Sequence, residues 1–175
     1  MLARGDTVLV AVDAQEAFRP AVRDFDRVAR NIGVLVQGAK ALEVPVVVTE
    51  QYPKGLGRTV PEVAEHLDGI EPIEKTCFSA AGADGFDPDG RRQAIVCGIE
   101  THVCVLQTVE DLLDRGFEVH VAADAVTSRT DENREVGLRR MEKDGATITS
   151  VETALFELLG AAGSDEFKTV QRLIK

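Results

Sequence analysis

The sequence predicts an α/β fold, in which a six-stranded parallel sheet carries helices on both faces in a doubly wound, Rossmann-like arrangement. Apolar runs rich in β-branched residues alternate with segments of helical periodicity along the chain. Such runs, without polar alternation, are typical of strands buried on both faces. Strands that alternate with helices favour a parallel sheet, and right-handed crossovers then cover both of its faces. The length of 175 residues, without repeats or linkers, predicts one domain over residues 1–175.

The first half of the chain supplies three of the predicted strands. They are TVLVAV (7–12), VPVVVTE (44–50) and the short IEKTCF (73–78). Apolar residues at helical spacing between Val28 and Leu42 predict a long helix after the first strand. The Gly- and Pro-rich loop QYPKGLGRTVPE and a short helix at about 61–67 follow the second strand.

The second half continues the alternation. The strands are RQAIVCGI (92–99), FEVHVAAD (117–124) and ATITSV (146–151). Helices are predicted over THVCVLQTVEDLLDRG (101–116), DENREVGLRRMEKDG (131–145), ETALFELLG (152–160) and SDEFKTVQRLIK (164–175). Gly116 and Gly145 follow the first two of these helices, where glycine commonly ends a helix.

Composition excludes several classes of function. The net charge of −10 argues against a nucleic-acid interface, which needs a basic face, and against binding to anionic membranes. The three cysteines have neither an even count nor zinc-ligand spacing, so neither a disulfide framework nor structural zinc is expected. No apolar run approaches the ~18 residues of a membrane span, and the N-terminus does not read as a signal peptide. We therefore predict a cytoplasmic protein.

The loops after the strands are where a parallel sheet of this kind binds ligands. The first strand is followed by Asp-Ala-Gln-Glu, whereas a dinucleotide site needs GxGxxG at this point, and no P-loop is present. A carboxylate in the first loop also repels phosphate. The sequence thus disfavours NAD and ATP, and no cofactor is predicted.

Three reactive side chains remain at strand ends: Asp13, Lys75 and Cys104. A thiol attacks as the thiolate, and the first turn of a helix, together with a lysine, favours an anion at Cys104. Asp13 can accept the thiol proton and return it to a leaving group. Free N–H groups of the helix turn can hold the oxyanion of a tetrahedral intermediate.

Each candidate has an ordinary structural alternative. The alternative for Cys104 is a buried thiol of the core, for Asp13 a loop cap or a partner of Arg19, and for Lys75 a solvated lysine. Cys97 lies inside a predicted strand and is expected to be inert. Of the histidines, His102 is the rival base, but positions i and i+2 do not share a helix face, so a pair with Cys104 is disfavoured.

The chain resembles the isochorismatase-like cysteine hydrolases over nearly its whole length. The resemblance rests on VLVAVDAQEAF, VVVTEQYPKGLGRTVPE, EKTCFSA and VCGIETHVCVLQTVEDLLDRGFEVHVAADAVTSR, in this order. It is strongest to the isochorismatase domain-containing subgroup. It implies a triad of Cys104, Asp13 and Lys75, and a cis peptide bond at Ile99–Glu100 that turns the N–H of Glu100, with that of Cys104, toward the oxyanion.

The resemblance also implies a substrate pocket and an assembly. Phe18 matches an aromatic pocket wall, and Gln51, Tyr52 and Phe78 are pocket neighbours. Tyr52 precedes Pro53 and is expected to be extended. The Asp-x-His metal motif of nicotinamidases reads TEQYP here, so we predict no catalytic metal and disfavour nicotinamide as the substrate. Family members commonly form homo-oligomers, which predicts a dimer or larger assembly.

Three functions stay open at this point. The first is hydrolysis of an amide or imide C–N bond in a small molecule through a thioester at Cys104. The second is hydrolysis of a vinyl ether, in which Asp13 acts as an acid and Cys104 is dispensable. The third is a non-catalytic interaction protein on the same fold, against which the presence of Asp13, Lys75 and Cys104 argues.

Overall fold

A computed structural model describes all 175 residues and contains a sheet of six parallel strands in the order β3-β2-β1-β4-β5-β6. The strands are β1 (Thr7–Val12), β2 (Val46–Gln51), β3 (Ile73–Lys75), β4 (Gln93–Ile99), β5 (Glu118–Thr127) and β6 (Thr147–Thr149). The predicted fold class is confirmed. β5 runs three residues further than the sequence pattern indicated, because its register against β4 shifts between Val96 and Gly98.

Seven α-helices connect and cover the strands. They are α1 (Phe25–Ala41), α2 (Pro53–Leu56), α3 (Pro61–Ala64), α4 (Leu106–Asp114), α5 (Asp131–Lys143), α6 (Val151–Leu159) and α7 (Asp165–Ile174). The predicted helix over 101–116 begins with a π-helical turn, Thr101–Val105, before α4. Thr130, Ser150 and Ser164 cap α5, α6 and α7 through side-chain oxygens that accept backbone N–H groups.

The sheet separates two apolar cores. Alternate residues of β1 point to opposite faces, so that Leu9 and Ala11 join one core and Val8, Val10 and Val12 join the other. Helices α1, α6 and α7 pack together on the first face, and α4 packs with α5 on the second. The predicted burial of the strands on both faces follows from this arrangement.

The strand order reverses direction beside β1. The chain runs outward from β1 through β2 to β3, and then returns to place β4 on the other side of β1. A crevice opens at the carboxyl ends of the strands at such a point, and ligands bind there in open α/β sheets. The ends of β1, β3 and β4 carry Asp13, Lys75 and the turn with Cys104, so this edge holds the candidate site.

Two glycines let backbone segments approach closely near Cys104. Gly98 pairs with Val12 across the β1–β4 ladder and has a φ of +126°, and a Cβ there would overlap the carbonyl of Val12. Gly137 on α5 lies against the Thr101 carbonyl, which a Cβ would meet at 2.9 Å. Helix α5 can therefore support the π-helical turn directly.

None of the helices is both long enough and apolar enough to cross a bilayer. The cytoplasmic location remains a prediction.

Candidate active site

Asp13 is the centre of a buried polar cluster. The residue directly follows β1 and has a φ of +50°, a conformation that aspartate adopts more readily than most residues. Its carboxylate accepts a 2.7 Å hydrogen bond from Thr49 Oγ1 and a 2.7 Å hydrogen bond from Lys75 Nζ. Neither the lysine nor the aspartate side chain has any exposed surface. Asp13 therefore does not pair with Arg19, whose partners are Glu16, Asp26 and Glu62.

Lys75 ends β3 and reaches across β2 to Asp13. Besides Asp13, its ammonium group donates to Gln51 Oε1 at 2.8 Å and to the carbonyls of Phe78 at 2.8 Å and Cys77 at 3.2 Å. Four acceptors thus surround three N–H donors, which satisfies the group completely. The alternative of a solvated lysine is wrong, and the ammonium position is fixed by strand β3 and the loop after it.

Cys104 lies in the π-helical turn that follows β4, and it is buried with 5% of its surface exposed. The backbone around it is tied to the loop after β3. Ala80 N–H donates to Thr108 Oγ1 at 2.8 Å, and the Thr108 hydroxyl donates to the Cys104 carbonyl at 2.7 Å. This chain of bonds sets the turn of Cys104 against the segment that also binds Lys75.

Burial and the charges of this cluster raise the pKa of the Cys104 thiol. Burial raises the pKa of Asp13, and Lys75 and Thr49 offset this effect only in part. Burial, and then the charge of Asp13, raise the pKa of Cys104 to about 12, although Lys75 acts in the opposite direction. The sequence had predicted a thiolate favoured by the helix turn and Lys75. Burial and Asp13 outweigh both, so the structure favours the protonated thiol over the predicted thiolate.

The segment before Cys104 has an unusual backbone. The peptide bond between Ile99 and Glu100 is cis. The carbonyl of Glu100 accepts from the N–H groups of Val103 and Val105, at 3.1 and 3.2 Å, whereas the N–H of Glu100 donates to no protein acceptor. A free backbone donor four residues before Cys104 is available to a ligand.

The Glu100 side chain forms a second ion pair, in which the carboxylate is buried and the Arg129 guanidinium is largely exposed. Its carboxylate accepts from Arg129 Nη2 at 2.6 Å, and from Arg129 Nε and the Arg129 backbone N–H at 3.0 Å each. Burial opposes ionisation of Glu100, but the hydrogen bonds and charge of Arg129 together lower its pKa. The pair joins the turn of Cys104 to the loop after β5.

The predicted pocket residues divide into two groups. Gln51 Oε1 accepts a hydrogen bond from Lys75 Nζ. Tyr52 and Phe78 flank that lysine, and 55% and 51% of their surfaces are exposed. Tyr52 and Lys75 also line an open cleft of about 330 Å³ together with Pro53, Lys54, Glu74 and Thr76. Phe18 packs against the core on the α1 side, so its place in a pocket wall stays a prediction.

Tyr52 differs from its predicted conformation. It has a φ of +36° instead of an extended backbone, because it begins α2 directly after β2, with Pro53 at the first helical position. Its N–H donates to the Lys75 carbonyl at 2.9 Å, which places the ring at the edge of β3.

The histidines take no part in this cluster. His102 Nδ1 lies 3.0 Å from Ser128 Oγ, and His120 Nε2 lies 2.9 Å from Glu118 Oε1. The structure contains no group of three or more His, Cys, Asp or Glu side chains placed to hold a metal ion. The preference for Asp13 over His102 as the partner of Cys104 agrees with this geometry.

The contacts of several supporting residues escaped prediction from the sequence, although Gln15 and Glu50 stand at the strand ends where functional residues are expected. Thr49 belongs to an apolar strand run, and only its hydroxyl group indicates that it can bind Asp13. Gln15 binds the N–H and the carbonyl of Gln51 through its side chain, at 2.7 and 3.0 Å. Glu50 accepts from Thr59 N–H and Oγ1 at 2.7 Å each. These long-range contacts hold the loop of Tyr52, and no local pattern marks them.

The fold and the cluster define a class: a Rossmann-like α/β protein with a cysteine, an aspartate and a lysine at the carboxyl edge of its sheet. The model of the isochorismatase domain matches residues 7–153. Isochorismatase domain-containing protein 2 from Homo sapiens is 43% identical over 174 residues, which cover 98% of this chain and 84% of the relative. This chain belongs to the isochorismatase family, a family of hydrolases.

Solved structures agree with this assignment. A structure described as the MAR1 ribonuclease from Caenorhabditis elegans has a TM-score of 0.91 and 40% identity, covering 99% of this chain and 91% of the other. YcaC from Escherichia coli, described as an octameric hydrolase of unknown specificity, has a TM-score of 0.88 and 25% identity over 98% and 89%. YcaC from Pseudomonas aeruginosa, solved with covalent acrylamide, has a TM-score of 0.88 and 26% identity over 98% and 90%.

Proposed function

We propose that this protein is a cysteine-dependent hydrolase that cleaves the C–N bond of a small amide or imide through a thioester. The observation that carries the proposal is the buried carboxylate of Asp13, which is bonded to Lys75 and raises the pKa of the Cys104 thiol. A base beside a protonated thiol is the arrangement that nucleophilic catalysis requires. Membership of a hydrolase family and the covalent acrylamide on YcaC of P. aeruginosa support it.

The first half of the reaction forms the thioester. The Cys104 thiol gives its proton to Asp13 while sulfur bonds to the carbonyl carbon, and the C=O π pair moves to oxygen. The N–H of Glu100, with that of Cys104, holds the resulting oxyanion. When the C–N bond breaks, Asp13 returns the proton to the leaving nitrogen, and the acyl group stays on sulfur.

The second half uses the same groups with water. Asp13 takes a proton from water as its oxygen bonds to the thioester carbon. The C–S bond then breaks, and sulfur recovers the proton from Asp13, which leaves a carboxylic acid as the product. Lys75 does not move a proton in this scheme. It orients the carboxylate of Asp13 and offsets its charge, while Gln51, Tyr52, Phe78 and Phe18 enclose the substrate.

The experiment measures ammonia release from a panel of small primary amides, and ring opening to the amic acid for a panel of cyclic imides. Cys104→Ala and Asp13→Asn are expected to lose at least ~10²-fold in rate, the lower end of the range for general base catalysis. Cys77→Ala is the matched control, since Cys77 is a free exposed thiol, and it should keep the wild-type rate. Full activity of Cys104→Ala on an accepted amide would refute the mechanism.

A second candidate function is hydrolysis of a vinyl ether. The raised pKa of Asp13 favours it, because a carboxyl group with a raised pKa still carries a proton at higher pH and can deliver it to an enol ether carbon. In that reaction Cys104→Ala would keep its activity and Asp13→Asn would lose it. Isochorismate hydrolysis by the same pair of variants therefore separates the two functions.

We also propose that the protein works as a homo-oligomer on small-molecule substrates. Tyr52 and Phe78 leave large apolar surfaces exposed beside the cluster, and the related YcaC of E. coli is described as an octamer. Burial of exposed aromatic surface is a frequent driving force for association. Sedimentation velocity should give a mass of at least two chains of 18.9 kDa, and a monomer across the micromolar range would contradict it.

A further inference from the structure

The cation nearest to Cys104 is wholly occupied within the protein. Lys75 Nζ is bonded to Asp13, to Gln51 and to two backbone carbonyls, and its side chain has no exposed surface. A lysine in this condition cannot reach out to a carboxylate or phosphate on a substrate. Its charge is balanced by the carboxylate of Asp13.

The second cation near Cys104 is occupied as well. Arg129 follows β5, and its Nε and Nη2 groups donate hydrogen bonds to the Glu100 carboxylate. The Arg129 backbone N–H is a third donor to the same carboxylate. The guanidinium is largely exposed, but its charge is matched by a Glu100 carboxylate of which only 5% is exposed. The charge of Asp13 raises the pKa of the Cys104 thiol more than the charge of Lys75 lowers it, and Glu100 raises it further, so the net field at the sulfur is negative.

The rim next to Lys75 adds no net positive charge. Lys54 and Glu74 line the cleft there, and Arg58 pairs with both Glu74 and Glu50, so that two cations and two carboxylates sum to zero. The most exposed side chains beside Lys75 are the aromatic rings of Tyr52 and Phe78. The chain as a whole carries a charge of −10, which also repels anions.

We infer that the substrate is an uncharged small amide or imide, and that anions such as carboxylate-bearing amides are rejected. The inference rests on the proposed cysteine mechanism and names its substrate class. It follows that the product acid, once ionised, meets the same negative field, which favours its release. It also disfavours isochorismate, which carries two carboxylates, as the substrate.

The test uses two alkylating reagents of similar size that differ in charge, iodoacetamide and iodoacetate. Rates at Cys104 are measured by peptide mass spectrometry at neutral pH and low salt, and are divided by the rates of N-acetylcysteine under the same conditions. We expect a normalised preference for iodoacetamide of at least ~10-fold at Cys104, and a smaller preference at the exposed Cys77. Added salt should reduce the preference, because it screens charge.

Two variants shift the charge in opposite directions. Glu100→Gln removes a carboxylate and leaves the Arg129 guanidinium uncompensated, so the preference for iodoacetamide should fall several-fold. Arg129→Gln leaves Glu100 uncompensated, so the preference should rise. Glu110→Gln is the matched control, since Glu110 pairs with Arg140 on the outer helices α4 and α5, and it should match the wild type.

The outcomes separate the two levels of the proposal. A normalised ratio near one, or a preference for iodoacetate, overturns the inference about charge and leaves the cysteine mechanism standing. A Cys104 that reacts with neither reagent overturns both. Glu100→Gln and Arg129→Gln variants that shift the ratio in the same direction would show that packing, not charge, sets the selectivity.

Discussion

Cys97 and Cys104 lie on one continuous strand and turn, yet the structure gives them different surroundings. Both thiols are buried, and burial raises the pKa of each. Cys97 belongs to the core on the α1 side, where its nearest polar contact is the Val10 carbonyl at 3.8 Å. Cys104 belongs to the opposite face, where the carboxylate of Asp13 acts on it.

Burial alone does not distinguish an inert thiol from a candidate nucleophile. The difference lies in an acceptor for the proton and in access for a substrate. Cys97 is fully buried and its thiol reaches only the Val10 carbonyl, with Asp124 acting on it through charge alone, whereas Cys104 has Asp13, a free N–H on Glu100 and an edge of the sheet.

The largest expected effect is on stability when the ion pair beside Cys104 is broken. Lys75→Met leaves Asp13 buried without its cation, which should cost about 3–5 kcal/mol in the free energy of unfolding. Urea denaturation measures this cost. The double variant Lys75→Met, Asp13→Asn removes both charges and should be more stable than the lysine variant alone. If the lysine variant lost less than about 1 kcal/mol, the pair would be weaker than its geometry indicates.

A smaller effect is expected when each thiol becomes a hydroxyl. Cys97→Ser places a hydroxyl in an apolar core with only a distant carbonyl, which should cost about 1–3 kcal/mol. Cys104→Ser keeps the carboxylate of Asp13 as an acceptor and should cost less than about 1 kcal/mol. The two unfolding free energies, measured side by side, give the comparison. Equal costs would mean that Asp13 does not act as an acceptor at Cys104.

The alkaline pH dependence of stability is the next smaller effect. The pKa of Cys104 is about 12 in the folded protein and ordinarily 9.0, so above pH 9 the unfolded chain binds fewer protons than the folded one. Stability therefore falls as pH rises through this window, by at most ~1.4 kcal/mol per pH unit for this thiol. Unfolding measured at pH 8 and pH 10 should show a smaller loss for Cys104→Ala. An unchanged loss in that variant would assign the dependence to other groups.

The sequence predicted the elements better than their environments. Apolar runs such as TVLVAV and RQAIVCGI fix buried strands because a strand covered on both faces needs continuous apolar residues. The meeting of Asp13, Lys75 and the turn of Cys104 also followed, since parallel strands bring their carboxyl ends to one edge. The roles of Cys104 as nucleophile, Asp13 as base and Lys75 as cation were predicted from their chemistry, whereas the cis bond at Ile99–Glu100 and the pocket residues came from the family resemblance.

The electrostatic state of the site was not predictable from local pattern. Nothing near Lys75 in the sequence shows that Gln51 and two carbonyls occupy its ammonium group. The sequence around Glu100 also does not indicate its partner Arg129, because this contact depends on how β5 pairs with β4. The predicted thiolate failed for the same reason: the balance between burial, Asp13 and Lys75 is set by tertiary structure.

The smallest expected effect concerns His102, which stands two residues from Cys104 and is the base that the sequence first presents. Its Nδ1 is engaged with Ser128 Oγ, and it joins two loops instead of facing the thiol cluster. His102→Gln should therefore change the rate of amide hydrolysis by no more than about threefold, against the ~10²-fold or larger loss expected for removal of a general base. Stability should fall by about 0.5–1.5 kcal/mol through the lost hydrogen bond.

Ser128→Ala breaks the same bond from the other side and is the matched control. A rate that collapsed in His102→Gln but not in Ser128→Ala would make the histidine the base, and would remove the basis for contrasting Cys104 with Cys97 through Asp13.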